Sequence, residues 1–208
     1  MTMPAVVLEQ SFTYSHATVM VEEVVRYIAP QQGATYLDAT VGGGGHAAAL
    51  LEACPEARLI GLDRDPVAVQ AAGERLACFP GRVEVAQVAF DGIFEFLQNK
   101  NIVRVQGLVA DLGVSGPQLA DADRGLSFRL DGPLDMRMDP TRGETARQLI
   151  QQLSQEELAN VIYQLGEERR SRRVARCIKQ ALEAGELDTT RDLRRAVVRA
   201  VGPQKSGG

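Results

Sequence analysis

Between residues 35 and 110 short apolar runs alternate with helical patterns, and this alternation constrains the fold more than any other feature of the chain. Residues 35–39, 58–63, 82–88 and 105–110 read as strands, the last buried and almost wholly apolar. Helical patterns fill 45–54 and 66–77, and Pro66 sits where a first-turn proline belongs. An earlier helix is expected over 19–28, ended by Pro30 and Gly33. Strands that alternate with helices predict an α/β fold with a parallel, doubly wound sheet. The pattern changes after Gly113. Residues 121–140 are rich in Gly, Pro and Asp and read as a long ordered loop, a kind of segment that is usually functional or disordered. From Thr145 onward only helices are expected, one opened by the capping box Ser154-Gln-Glu-Glu157 and another by Thr189-Thr-Arg-Asp192. The first dozen residues read as a loose arm, and Gly-Pro-Gln-Lys-Ser-Gly-Gly208 as a flexible end.

One turn in this pattern carries chemistry. Gly42-Gly-Gly44-Gly-His-Ala47 fits the G-x-G-x-x-G/A spacing, directly after an expected strand and at the start of an expected helix. Glycines there permit a tight turn and close approach of backbone to a ligand. Asp63 follows about 20 residues on, at the end of the next strand, where a ribose is recognised. Asp38 closes the first strand and Asp111 the fourth. In such sheets ligands bind at the carboxyl ends of the strands. Three carboxylates there would repel a pyrophosphate and suit a cofactor with a cationic amine, a sulfonium and a free ribose, which is S-adenosylmethionine. Each acid has a plainer alternative, since aspartate also favours helix caps and turns.

Charge and cysteine usage narrow the setting. Residues 1–134 carry 9 Lys and Arg against 16 Asp and Glu, whereas residues 135–208 carry 14 against 11. The acidic part suits a cofactor without bound phosphates and the basic part a polyanion, although two solvated surfaces would look the same. Cys54, Cys78 and Cys177 are scattered, with no metal-ligand spacing, so neither a metal site nor a disulfide framework is expected and a reducing cytoplasm fits. No apolar run approaches the length of a membrane span.

Several segments together resemble one family. They are Asp38-Ala-Thr-Val-Gly-Gly-Gly-Gly-His46, Gly61-Leu-Asp-Arg-Asp-Pro66, Asp111-Leu-Gly-Val-Ser-Gly-Pro-Gln-Leu119, Arg124-Gly-Leu-Ser-Phe128, Asp131-Gly-Pro-Leu-Asp-Met-Arg-Met-Asp139 and Tyr163-Gln-Leu-Gly-Glu-Glu168. From about Tyr14 to Pro203 the chain is similar to the bacterial 16S ribosomal RNA cytosine-N4 methyltransferases. The resemblance implies a Rossmann-like class I methyltransferase sheet of about four to five strands with an inserted helical domain. It implies a cofactor domain over 1–134, taking in the start of the substrate loop, and a helical substrate-recognition domain over 135–208. It implies cofactor contacts from Gly44, Gly45, His46, Asp63, Phe90, Asp111 and Gln118, to which the glycine-turn reading adds Asp38 and Gly42. Phe90 would cover the adenine face, with a core aromatic as the alternative. His46 would act through its backbone N–H, or be an ordinary polar surface residue. Gln118 would use its amide, or be a turn residue after Pro117.

The implied reaction puts a methyl group on the N4 amine of a cytidine in 16S ribosomal RNA of the small ribosomal subunit. That amine is a poor nucleophile, so alignment and hydrogen-bond acceptors would carry the catalysis. Asp111 is the candidate acceptor, in Asp111-Leu-Gly-Val114, where many amino methyltransferases have an acid-Pro-Pro-aromatic tetrapeptide. The loop 124–139 is expected over the site. Asp135 and Arg137 are candidates for holding the base or its phosphate, the alternative being an internal ion pair that orders the loop. Arg169 and Arg173 belong to a basic series (with Arg170, Arg172, Arg176, Arg191, Arg194, Arg195 and Arg199) suited to phosphates, about half of which is expected to be solvated surface. Family members continue past the point where this chain stops, so a fragment lacking the return to the sheet is expected. A homodimer is an open alternative. Two other readings compete. One is a non-catalytic RNA-binding or assembly protein with the methyltransferase fold. The other is a nucleotide-dependent oxidoreductase, against which the three acids argue.

Overall fold

A computed structural model describes residues 18–202; the arm and the end stretch read from the sequence lie outside these residues. The described chain divides into two compact units. One holds the described residues up to Asp63 together with Val67–Ala110, and the other holds Arg64–Pro66 with the described residues from Asp111 onward.

The first unit is the sheet. Its strands are β1 (Thr35–Asp38), β2 (Arg58–Asp63), β3 (Val83–Gln87) and β4 (Gly107–Val109), all parallel, in the order β3-β2-β1-β4. Around them lie α1 (Val21–Ile28), α2 (Gly45–Ala53), α3 (Pro66–Leu76) and α4 (Ile93–Asn99). Successive strand residues point to opposite faces, and the sequence supplies apolar side chains for both. Tyr36 and Leu59 pack with Ala47, Leu50, Leu51, Ala72 and Leu76, with Val24, Val25 and Ile28 of α1 against them. Leu37, Ile60 and Leu62 face the other way, onto Ile93, Phe96 and Leu97 of α4. This two-sided cover is what makes the sheet doubly wound, as the strand and helix alternation requires. Helix α4 had no counterpart among the sequence expectations. It has one short apolar stripe, and its seven residues are specified by the sheet face they cover. Arg82 closes the carboxyl end of α2. Its Nη2 donates to the carbonyls of Leu51 and Cys54 at 2.7 Å each, satisfying groups the helix leaves open.

The second unit is helical. It holds α5 (Gly116–Ala120), α6 (Ala146–Gln152), α7 (Gln155–Gly166), α8 (Ser171–Glu183) and α9 (Thr190–Val201). Capping boxes open four of them: Ser115 with Gln118, Thr145 with Gln148, Ser154 with Glu157, and Thr189 with Asp192. The core gathers Ile150, Leu158, Val174, Ala175, Ile178, Leu187, Ala196 and Ala200. Leu134 joins this core from the loop, so the loop is anchored and not draped. Its backbone donates to the Asp188 carbonyl at 3.0 Å, and the Thr190 hydroxyl donates to the Leu130 carbonyl at 2.8 Å. Gly132 is required at its place. A Cβ there would fall 1.7 Å from the carbonyl oxygen of Ala122, backbone that cannot yield cheaply.

Candidate active site

In the first unit the glycine turn is bonded to the strands on either side of β1. Ala39 N–H donates to the Val109 carbonyl and Val41 N–H to the Leu62 carbonyl, each at 2.9 Å. Gly42 N–H donates to Asp63 Oδ2 at 3.0 Å. The acid 21 residues on is therefore tied to the turn directly. Gly42 and Gly44 have φ of 51° and 78°, the left-handed region that glycine enters without penalty. Gly44 then opens α2 with no side-chain cap, leaving the first N–H groups of that helix for other acceptors. Gly45 is tight for a different reason, since a Cβ would meet Thr18 Oγ1 at 1.7 Å.

The other expected residues of this unit divide by exposure. Asp38 is only 1 % exposed, and its Oδ1 accepts from Thr40 N–H at 3.1 Å, which orders the turn from beneath. Asp63 is partly exposed. Phe90 begins a single 3-10 turn and is 57 % exposed, so it is not a core aromatic. His46 is buried with Nε2 2.8 Å from the Val19 carbonyl, so its ring holds the segment leading into α1. That accounts for the side chain and leaves the backbone N–H as the group a ligand could use.

In the second unit the structure brings together residues the sequence reading had not joined. Asp65, 1 % exposed, accepts from Gln118 Nε2 at 2.7 Å and pairs with Arg124 Nη1 at 3.0 Å. The Arg124 Nη2 donates to the Met138 carbonyl at 2.6 Å and to the Arg137 carbonyl at 3.3 Å. One largely covered arginine thus ties the two ends of the 124–139 loop together. The Gln118 Oε1 accepts from Ser115 N–H at 2.9 Å, so both ends of this amide serve the unit itself. The signal for Asp65 was present but ambiguous. An aspartate directly before a first-turn proline reads as a helix cap.

Asp135 and Arg137 bond each other in a two-pronged pair, Nε to Oδ1 at 2.8 Å and Nη2 to Oδ2 at 2.6 Å. The side-chain hydrogen bond from Arg137 holds the Asp135 carboxyl below its ordinary value of 3.8, with burial working in the opposite direction. Asp139 is lowered too, first by the hydroxyl of Thr141, which donates to its Oδ1 at 2.6 Å. Both folded pKa values lie below the unfolded ones. Their stability is therefore present in full above the unfolded value and is lost as pH falls through the folded values. Thermal melts should fall as pH is lowered below about 4, and the Arg137→Gln variant should show a shallower acid-side decline. An unchanged decline would remove this pair from the acid sensitivity.

Asp111 is exposed, two residues beyond β4. Arg169 and Arg173 are exposed, before and within α8. Four other members of the basic series are engaged. Arg170 donates to the Val201 carbonyl, Arg191 pairs with Asp131 at 3.5 Å, Arg195 pairs with Asp192, and Arg199 donates to the Cys177 carbonyl.

A parallel sheet in the order 3-2-1-4, with a glycine turn leaving its first strand and an acid ending its second, is the Rossmann-like arrangement for a nucleoside-bearing ligand. The comparisons with known proteins make this particular. Residues 13–207 match the model of the MraW methylase family, and the chain belongs to that family. It is 56 % identical over 193 residues to the ribosomal RNA small subunit methyltransferase H of Sorangium cellulosum, covering 93 % of this chain and 61 % of that one. The protein of the same name from Synechococcus elongatus is 45 % identical over 192 residues, covering 92 % and 62 %. That of Prochlorococcus marinus (strain MIT 9303) is 48 % identical over 212 residues, covering 99 % and 66 %. The chain thus spans about three fifths to two thirds of the length of these relatives.

Proposed function

We propose that this chain binds S-adenosylmethionine and directs its methyl group to the N4 amine of a cytidine in 16S ribosomal RNA of the small subunit, in the cytoplasm. The observation that carries the reading is the bond from Gly42 N–H to the Asp63 carboxylate, which fixes an acid at the glycine turn. A dinucleotide would bring a pyrophosphate towards that negative charge. A ribose hydroxyl would instead find an acceptor, and a cationic amine or sulfonium a favourable field. The donor set therefore fits S-adenosylmethionine, and the relatives named as small subunit methyltransferases support the RNA.

When bound, the cofactor supplies an electrophilic methyl group. The chain's own residues hold and align. Asp63 takes the ribose, Asp38 keeps the turn in shape, and Gly42, Gly44 and Gly45 let the backbone approach. His46 contributes its N–H, and Phe90 covers the adenine. Gln118 keeps one amide hydrogen after its bonds to Asp65 and Ser115. Asp111, exposed beyond β4, accepts an N–H of the cytidine amine and so favours the positive charge that grows on it. In this reading residues 1–134 serve the cofactor and 135–208 the RNA, with Asp135, Arg137, Arg169 and Arg173 on the RNA side. Among the described residues no helix is long and apolar enough to cross a membrane.

Tritium transfer from labelled S-adenosylmethionine to small subunits lacking the modification tests the proposal. Label recovered as N4-methylcytidine from the 16S RNA is the expected result. Calorimetric heat with NAD and none with S-adenosylmethionine would overturn the reading.

A further inference from the structure

We infer that the exposed face of α8 carrying Arg172, Arg173 and Arg176, continued by Arg169 in the turn before it, grips the phosphodiester backbone of RNA without regard to base sequence. The inference rests on the RNA reading above and assigns this surface a separate task, affinity for the polyanion.

The helix has two unlike sides. Ser171, Val174, Ala175, Ile178 and Ala181 are buried in the helical core. Arg172, Arg173 and Arg176 stand exposed on the opposite side, Arg176 four residues after Arg172 and three after Arg173, so the side chains form one stripe. Among the described residues none of these three arginines, nor Arg169, makes an ion pair or a side-chain hydrogen bond. Arg170, Arg191, Arg195 and Arg199 all have such partners. The stripe is therefore a contiguous part of the basic series left for something outside the unit; among the described residues Arg194 of α9 is the other exposed member without such a partner.

Local electrostatics oppose this arrangement. Like charges at this spacing repel, and the amino-terminal turn of a helix disfavours cations. The first turn of α8 has no acidic residue and no side-chain cap, whereas α5, α6, α7 and α9 are all opened by capping boxes. Three unpaired arginines, two of them in the first turn of the helix, are relieved by an anion with many charges. Arginine forks match phosphate oxygens two at a time. A lipid surface fits less well, because an interfacial helix needs its apolar side free, and that of α8 is buried in the core.

The test is fluorescence anisotropy of the 208-residue chain with a labelled single-stranded RNA across a salt series. The parent protein should bind with an affinity that falls linearly on logarithmic axes. In R172Q/R173Q/R176Q the slope should drop by about 2, close to 0.7 per arginine removed, with a loss of affinity of about tenfold or more at low salt. The lysine set R172K/R173K/R176K should keep the slope, since it keeps the charges. The comparator R191Q/R195Q/R199Q should also keep it, because those arginines are already engaged. The glutamine set should melt no lower than the parent, and a much lower melting point would overturn the premise of a free stripe. Parent and glutamine set binding RNA with equal slopes would overturn the inference and leave the RNA reading standing. A parent that binds no RNA would overturn both. Equal RNA slopes combined with weakened binding to phosphatidylserine vesicles would replace RNA by a lipid surface.

Discussion

Replacing Asp65 by alanine is expected to destabilise the helical unit by about 3–5 kcal/mol, the cost of removing one partner of a buried ion pair. Asp65 and the Arg124 side chain are 1 % and 11 % exposed, and their 3.0 Å contact gives the guanidinium its counter-charge. The Arg124 Nε is buried with no hydrogen bond among the described residues, so this arginine is already short of partners. Without Asp65 a buried charge would be left uncompensated, and Gln118 would lose the acceptor at 2.7 Å. Against a typical stability of about 5–15 kcal/mol this is a large fraction. Urea unfolding followed by circular dichroism measures it. The paired replacement Asp65→Leu with Arg124→Met should cost much less than Asp65→Ala alone, since removing both charges leaves neither buried and unpaired. A cost below about 1 kcal/mol for Asp65→Ala, the range of exposed pairs, would show that the pair does not order the loop.

The second large effect concerns the cofactor. Asp63→Ala should weaken S-adenosylmethionine binding by about 1.5–3 kcal/mol, or roughly ten- to a hundredfold, the usual worth of hydrogen bonds to a charged group. Folding should change little, because Asp63 is partly exposed at the end of its strand and the Val41 N–H to Leu62 carbonyl bond still joins the turn to β2. Asp63→Asn separates two roles. The amide oxygen can still accept from Gly42 N–H, so the turn keeps its shape while the negative field is lost. Calorimetry on the three proteins reads both effects. Equal affinities across the set would exclude Asp63 from the site.

Much of the sheet unit was legible beforehand because its signals are local. The runs at 35–39, 58–63 and 82–88 became β1, β2 and β3 to within a residue at each end; β1 and β2 are apolar through their middles because both their faces are buried, whereas β3, at the sheet edge, has no buried residue. The last run contracted from 105–110 to Gly107–Val109, because pairing with β1 begins only at Tyr36 opposite Gly107, and it is not the buried strand expected: among the described residues β4 ends the sheet, with Leu108 54 % exposed. The loop 121–140 remained irregular apart from a 3-10 turn at Ala122–Arg124 and an isolated antiparallel bridge from Pro133 to Thr189. Helix α4 is not legible in the sequence because its pattern is short and is defined by what it covers.

The residues of the candidate site separate along the same line. The sequence alone determined the glycine turn, the acid ending β2 and the helix starts at Ser154 and Thr189. Backbone conformation and hydrogen bonds between near neighbours restrict residue choice there, and that restriction is visible in the letters. Which polar side chains spend themselves inside the protein was decided only by tertiary structure. His46 turned its ring to Val19, and Gln118 turned its amide to Asp65 and Ser115. Arg137 took Asp135, and Arg124 bridged 59 positions to reach Asp65. A polar residue carries no mark of its partner. Burial removes water as the alternative, so the folded chain must supply a partner from whatever packing places within reach.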